Sequence, residues 1–286
     1  MDKLAIIDIG SNSIRYMTAE LSKGGLLFSD KLLCTTRLGE GLLSNGLLKR
    51  EPMLNSYKAI ADFSNMARLS KIPCYAYATS AVRDAKNRNE FLELLSPLNI
   101  SVEVLSGEDE GRYAFLAANE GTGTLIDIGG ASSQIVTELA SKSFPIGCVR
   151  AKDFCPIDDF NSARLSLFRW FDEVYKLSYS LEPPFTGVGG TITTLGALIQ
   201  GQTEFDGDRF LNFSFTAAEL DSVLIDLHSM GSRRKDHPLL KRRHDVILYG
   251  GLILAYLLER YKIPSLRPST SDGMEGYAYK LFNSAR

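Results

Sequence analysis

LAIIDIGSNSIRYMTAEL, from Leu4 to Leu21, decides the fold, because the chain repeats it as TLIDIGGASSQIVTEL from Thr124 to Leu139. Asp8, Ile9, Gly10, Ser13 and Thr18 recur as Asp127, Ile128, Gly129, Ser132 and Thr137, at a constant offset of 119 residues. In each copy an apolar run delivers a carboxylate to a glycine-containing turn, and an alternating run leads away from it. That pattern is a hairpin whose turn can present backbone N–H groups to an anion. One copy alone reads as a plain hairpin with a capping Asp. Two in register predict two like domains facing one cleft, each with a phosphate-gripping turn.

The flanking pattern repeats as well. The first half reads as strands at 4–9, 14–21 and 26–34, a helix near 51–70, a strand at 73–78, a short helix at 88–96, a strand at 101–105 and a helix at 108–119. The second half reads as strands at 124–128, 133–139 and 142–146, a helix near 161–178, a strand at 185–188 and a helix at 191–199. Helices near 216–229 and 245–261, a strand near 265–269 and a helix near 274–284 complete it, with a polar loop at 201–212. Three antiparallel strands followed by alternating helices and strands resemble the ribonuclease-H-like layout. A tandem pair of that layout resembles the superfamily of actin, sugar kinases and chaperone ATPases. The implied fold class is α/β, with two tandem ribonuclease-H-like (actin-like ATPase) domains at 1–119 and 120–286 flanking a central cleft. The C-terminal helix, about 275–286, is expected to pack back on the first domain.

Composition narrows the chemistry. With 286 residues, 44% hydrophobic and 23% charged, the chain has the make-up of a soluble globular protein of two domains. A formal net charge of −2 excludes a globally basic nucleic-acid binder, so a polyanionic ligand must be met by local cations or a metal. Cys34, Cys74, Cys148 and Cys155 form no CxxC pair, and are expected to be reduced, buried thiols in a cytoplasmic protein. The first apolar run is cut by Asp8, so no signal peptide is expected, and the uncharged stretch from Val246 to Leu258 is too short to span a bilayer.

Several motifs offer phosphate ligands. In DIGSNSIR, Ser11, Asn12 and Ser13 supply small donors, Asp8 can hold a hydrated Mg²⁺, and Arg15 a planar fork. The counterpart turn offers Gly129, Gly130 and Ser132, with Asp127 as its carboxylate. Arg37 in TRLGEGL and Arg83 in ATSAVRDAKN are further candidates, Arg83 the better placed because it follows a strand end and Thr79-Ser80. Gly189, Gly190 and Thr191 form a third glycine turn, opening a helix whose first N–H groups are free for an anion. Glu108, Asp109 and Glu110 open another helix, where the dipole alone explains carboxylates; one of them could instead accept a proton from water, and spacing does not choose among the three. The segment 232–245 carries six Lys/Arg against two Asp, either a solvated face or a track for a phosphate polymer. The three histidines, His228, His237 and His244, read as surface residues.

In this order, DIGSNSIR, TRLGEGL, ATSAVRDAKN, VLSGEDEGRYAF, LIDIGGASSQ, FPIGCVR, VGGTITTL, RHDVILYGG and SDGMEGYAY resemble the exopolyphosphatase/guanosine pentaphosphate phosphohydrolase (Ppx/GppA) family over essentially the whole chain, in its short form. The resemblance implies Glu110 as the water-activating base, Asp8 and Asp127 as ligands positioning Mg²⁺ (or Mn²⁺), the turns at Ser11–Ser13 and Gly129–Gly130 as holders of the terminal phosphoryl group, and Arg83 as a phosphate ligand. The implied activity is a cytoplasmic hydrolase releasing terminal phosphate from inorganic polyphosphate, or from guanosine pentaphosphate, with no nucleic acid or membrane partner and a homodimer left open. Where the family reads DxGGGSTE this chain reads DIGGASSQ. Ala131 resists a positive φ that such a turn can require, and Gln134 lacks a charge and a hard metal ligand, so weakened or altered metal dependence is expected. Two rivals follow: a catalytically weak polyphosphate or alarmone sensor, and a kinase of the same superfamily, for which no base pocket is evident.

Overall fold

A computed structural model describes residues 2–284; Met1, Ala285 and Arg286, which the expected domain bounds and last helix include, lie outside the described residues. In chain order the first half forms β1 (Lys3–Ile9), β2 (Ser13–Ser22), β3 (Gly25–Phe28), β4 (Leu32–Thr35), α1 (Leu42–Asn45), α2 (Arg50–Leu69), β5 (Cys74–Ala78), α3 (Ser80–Asp84), α4 (Arg88–Leu95), β6 (Val102–Val104) and α5 (Gly107–Asn119). The second forms β7 (Thr124–Ile128), β8 (Ser133–Thr137), β9 (Ser141–Phe144), α6 (Cys148–Phe154), α7 (Phe160–Val174), β10 (Phe185–Val188), α8 (Gly189–Ile199), α9 (Ala217–Met230), α10 (Ile247–Arg260), β11 (Arg267–Pro268) and α11 (Gly273–Ser284).

Strand order shows the duplication in three dimensions. The first sheet runs β3-β2-β1-β5-β6 and the second β9-β8-β7-β10-β11, each with its hairpin antiparallel and its inner crossovers parallel. Register repeats too: Asp8 lies opposite Arg15 on the neighbouring strand, and Asp127 lies opposite Gln134. Directly opposed residues share a sheet face, so each carboxylate is paired with the side chain across from it.

Some expectations needed correction. The strand expected at 26–34 is two strands, β3 and β4, both pairing with β2 at different positions along its length. Three short helices, α1, α3 and α6, were not expected; each is too short for a 3.6-residue period to stand out. The basic run is a series of 3₁₀ turns at Gly231–Asp236 and Pro238–Leu240. Cys148 is buried, but Cys34 is exposed and Cys74 and Cys155 are half-buried, so buried thiols hold for only one of four.

The cores explain how the halves interlock. α10 is buried along its whole length from Ile247 to Leu258, as expected of a helix apolar on every face. No helix among the described residues is long and apolar enough to cross a membrane. α5, from the first half of the sequence, packs Ala114 and Phe115 against Leu125, Val136 and Val188 of the second sheet. Burying a side chain such as Phe115 stabilises by about 1.5–3 kcal/mol. α11, from the end of the chain, packs Met274, Tyr277, Ala278 and Phe282 against Leu4, Ile6, Met17 and Tyr77 of the first sheet. Each sheet is thus covered by a helix from the other half of the sequence, and the two helices touch.

Candidate active site

Both turns of the repeat close in the same way. The Gly10 N–H donates to Ser13 O at 3.2 Å, and the Gly129 N–H donates to Ser132 O at 2.9 Å. The TRLGEGL loop wraps the first turn, its Thr36 and Arg37 N–H groups donating to Asn12 O and its Gly39 N–H to Ser11 O. The two turns also meet. A Cβ on Gly130 would lie 2.8 Å from Ser11 Cβ and 3.1 Å from Asn12 N, so the approach depends on this glycine having no side chain. Ser11 Oγ is hydrogen-bonded to Ser80 Oγ at 3.1 Å, and the buried Asn12 Oδ1 has no partner among the described residues.

Of the three carboxylates opening α5, geometry separates the roles. Ser106 caps the helix, its Oγ accepting from the Asp109 N–H, and Asp109 in turn accepts from Ser106 Oγ. Glu108 is exposed. Glu110 instead turns to Arg83, whose Nη1 lies 3.3 Å from Glu110 Oε2 and 3.0 Å from Leu105 O. Burial pushes the Glu110 carboxyl up to about 8, the Asp127 charge adding and Arg83 opposing. Asp127 is pushed to about 7, by burial first and then by Asp272.

Arg15 is placed differently from its expected role as a phosphate fork. Its Nε and Nη2 donate to Asp8 Oδ2 and its Nη1 to Asp272 Oδ2, so both sides of the guanidinium face carboxylates. Lys31 joins Asp272 and Glu275, completing a buried cluster around the start of α11. Burial alone would raise Asp272, yet Arg15 and Lys31 hold it well below the usual carboxylate range. Arg15 is therefore an organiser of Asp8, and Lys31, Asp272 and Glu275 are site-shaping residues that sequence reasoning missed. SDGMEG contained the signal, but nothing local ties it to Asp8.

The third glycine turn is joined by a cation. The Arg243 guanidinium lies where a Gly190 side chain would be, with a Cβ there falling 1.8 Å from Nη2. Arg243 has no carboxylate partner among the described residues; burial pulls it below the ordinary arginine value, Cys148 opposing and Arg15 and Arg242 adding to the fall. A desolvated, unneutralised guanidinium at a helix N-terminus is suited to an anion. Thr191 turns its side chain toward Gly250, leaving its N–H at the helix start. Arg37 is paired with Asp245, at 3.2 Å, which Lys152 also holds at 2.8 Å. Arg233, Lys235, Lys241 and Arg242 are exposed, while Arg234 donates to Leu227 O and His244 O.

A profile of the Ppx/GppA phosphatase family matches residues 19–285 of the chain. The chain belongs to the Ppx/GppA phosphatase family. Exopolyphosphatase 2 of Mycobacterium tuberculosis is 28% identical, covering 98% of this chain and 99% of its own. A guanosine-5'-triphosphate,3'-diphosphate pyrophosphatase of Pseudoalteromonas atlantica is 32% identical over 52% of this chain and 32% of its own length. The crystal structure of the Aquifex aeolicus Ppx/GppA family member superposes with a TM-score of 0.81 at 27% identity, covering 100% of this chain and 99% of that one. As a Ppx/GppA phosphatase the chain is a hydrolase of phosphoanhydride bonds.

The residues present fit a divalent cation. Asp8 is 3% exposed and its Oδ1 has no partner, while Asp127 makes no hydrogen bond or ion pair among the described residues. No cluster of three or more His, Cys, Asp or Glu able to hold a metal is found among those residues. Two carboxylates without a cage match Mg²⁺, which keeps several waters and takes the rest of its shell from phosphate. The family departures read as follows. Ala131 is fully buried and is not among the positive-φ residues, so the turn accommodates its methyl without strain. Gln134 occupies the repeat position of Arg15, donates Nε2 to Ser132 and Ser143 Oγ, and leaves Oε1 buried and unpartnered. Asp127 thus has no counterpart of the cation that serves Asp8.

The raised carboxyls make stability depend on pH. Unfolded Asp and Glu titrate near pH 4, so Glu110 at about 8 and Asp127 at about 7 bind protons on folding. Their stabilising contribution is complete below about pH 4 and is lost as the pH rises through their folded values. The Tm of metal-free protein should lose this contribution between about pH 4.5 and about pH 8, and less steeply in Glu110→Gln. Equal slopes in thermal scans of the two proteins would contradict the assignment.

Proposed function

We propose that this protein is an exopolyphosphatase, releasing the terminal phosphate of inorganic polyphosphate by attack of water. The observation that carries the reading is the contact of the two repeat turns at Gly130 and Ser11, which brings both sets of N–H donors to one anion. Glu110 orients the water and takes its proton, the task for which a carboxyl held near neutral pH is suited. The N–H groups of Ser11–Ser13, Gly130, Gly189, Gly190 and Thr191, with Ser132 and the bare Cα of Gly129, cradle phosphoryl oxygens, and Arg83 Nη2, without a partner among the described residues, faces the same charge. Mg²⁺, or Mn²⁺, bound through Asp8 and Asp127 would offset charge on the transferred group. Arg15 holds Asp8 in place, Arg243 grips the phosphates behind the terminal one, and Arg37, its Nε on Asp245, can offer them only its outer nitrogens.

Polymer is favoured over nucleotide by the exposed cations that follow one another up to Arg243, and by the full-length match to an exopolyphosphatase. We place the reaction in the cytoplasm, with domains at 1–119 and 120–286 that exchange α5 and α11 as covers; a homodimer is not needed for the chemistry. The test is phosphate release from long polyphosphate, guanosine pentaphosphate and ATP, with and without Mg²⁺. Mg²⁺-dependent release from polyphosphate is expected to be the fastest. Release from guanosine pentaphosphate alone would reassign the substrate, tight polyphosphate binding without release would make the protein a sensor, and transfer of label from ATP to a sugar would make it a kinase.

A further inference from the structure

Arg83 is held on two sides. Beyond its contact with Glu110, its Nε lies 3.4 Å from Asp84 Oδ1, and the other oxygen of Asp84 accepts from Arg150 Nη2. Asp84 ends α3 beside the first sheet, whereas Arg150 lies in α6 beside the second. Arg150 is 8% exposed, and among the described residues its guanidinium reaches, apart from Asp84, only Pro145 O, at 3.5 Å. Its charge is committed to a single carboxylate from the other half of the molecule.

α6 is itself fastened to the second anion turn. The Cys148 N–H donates to Gly129 O at 3.0 Å, and the Val149 and Arg150 N–H groups donate to Gly130 O at 2.7 and 3.3 Å. A Cβ on Gly147 would lie 2.5 Å from Gly130 C and O, so the helix start rests on the turn with no side chain between them. Arg150 therefore moves with the turn that is assigned to the terminal phosphoryl group. Other bonds between the halves, such as Gly41 N–H to Asp153, Arg37 to Asp245 and Arg15 to Asp272, do not touch Arg83. The Asp84–Arg150 pair borders an open groove of about 710 Å³ lined also by Leu43, Asn45 and Lys86, which gives the pair room to part.

We infer that Arg150 is a positioning residue that makes alignment of the base depend on closure of the cleft. With the halves together Arg150 takes Asp84, Asp84 fixes Arg83, and Arg83 sets the Glu110 carboxylate; with the halves apart the Arg150–Asp84 link is broken, and Arg83 parts from Glu110, which stays with α5 on the second sheet. The inference rests on the reading of Glu110 and Arg83 given under the proposed function.

The experiment measures kcat and KM on polyphosphate, guanosine pentaphosphate and ATP for wild type, Arg150→Met, Arg150→Lys and Asp84→Asn, with Arg150→Met repeated in an Arg83→Ala background. Arg150→Met and Asp84→Asn should each lower kcat by about 10- to 100-fold, with KM within about twofold, because misplacement of a catalytic group on this scale costs turnover rather than binding. Arg150→Lys should recover part of the loss, and in the Arg83→Ala background Arg150→Met should cause no further loss. An unchanged kcat in Arg150→Met, or an undiminished further loss without Arg83, overturns the inference. Should Arg150→Met lose its native circular dichroism, Asp84→Asn, at a half-exposed side chain, carries the same test. Full activity in Glu110→Ala, or no release of phosphate by wild type, would remove the functional reading and this inference together; an inactive Glu110→Ala beside a wild-type Arg150→Met would remove this inference alone.

Discussion

Glu110→Gln should lower kcat for phosphate release by about 10³-fold, within the range expected when a general base is removed, while the protein stays folded. The amide keeps the size of the side chain and an oxygen able to accept from Arg83 Nη1, so the local arrangement survives. What is lost is the proton acceptor. Because burial disfavours the ionised carboxyl and raises it to about 8, the neutral amide also relieves a desolvation cost, and Tm above neutral pH should rise or stay level. A variant that turns over at near wild-type rate would transfer the role to another carboxylate, Asp127 first.

The largest loss of stability should come from Gly276→Val. A Cβ at Gly276 would fall 2.0 Å from Tyr113 O, 2.4 Å from Tyr113 C and 2.7 Å from Tyr113 Cα, all backbone atoms of α5 that cannot turn aside. α11 must move away from α5, loosening the Tyr113–Tyr277 edge contact and the packing of Met274 and Tyr277 on the first sheet. Overpacking of this kind costs about 3 kcal/mol. The midpoint of urea unfolding should fall accordingly, and kcat should fall with it, since α5 carries Glu110 and α11 follows Asp272. A Gly276→Val protein unfolding at the wild-type midpoint would show that the two helices do not meet as closely as described.

Much of the site was legible before any coordinates because its chemistry is local. A carboxylate at a strand end, a glycine and small hydroxyl residues in that order make a turn that can present N–H groups to an anion, and the offset of 119 residues matched one such turn to the other. The choice among Glu108, Asp109 and Glu110 was not local. All three satisfy the helix dipole equally, and only the position of Arg83, 27 residues away, and the cap at Ser106 distinguish them. Arg15 shows the same limit: its neighbours suggested a free phosphate fork, whereas a carboxylate 257 residues further on occupies it. Arg243 was visible as one charge in a basic run, and only its place over Gly190 separates it from the exposed cations beside it.

The duplicated hairpin, the order of strands and helices, the family and the position of the two candidate anion turns follow from the sequence by itself, because hydrophobic period, turn chemistry and repeat offset are properties of short stretches. Tertiary structure alone decided which charges neutralise one another and which are left without a partner. It also decided that α5 and α11 cover each other's sheets and that Gly130 lets the two turns touch. Those outcomes depend on which distant segments are brought within a few ångströms, and in a buried, poorly solvated cleft that proximity determines whether an arginine serves a carboxylate or awaits a phosphate.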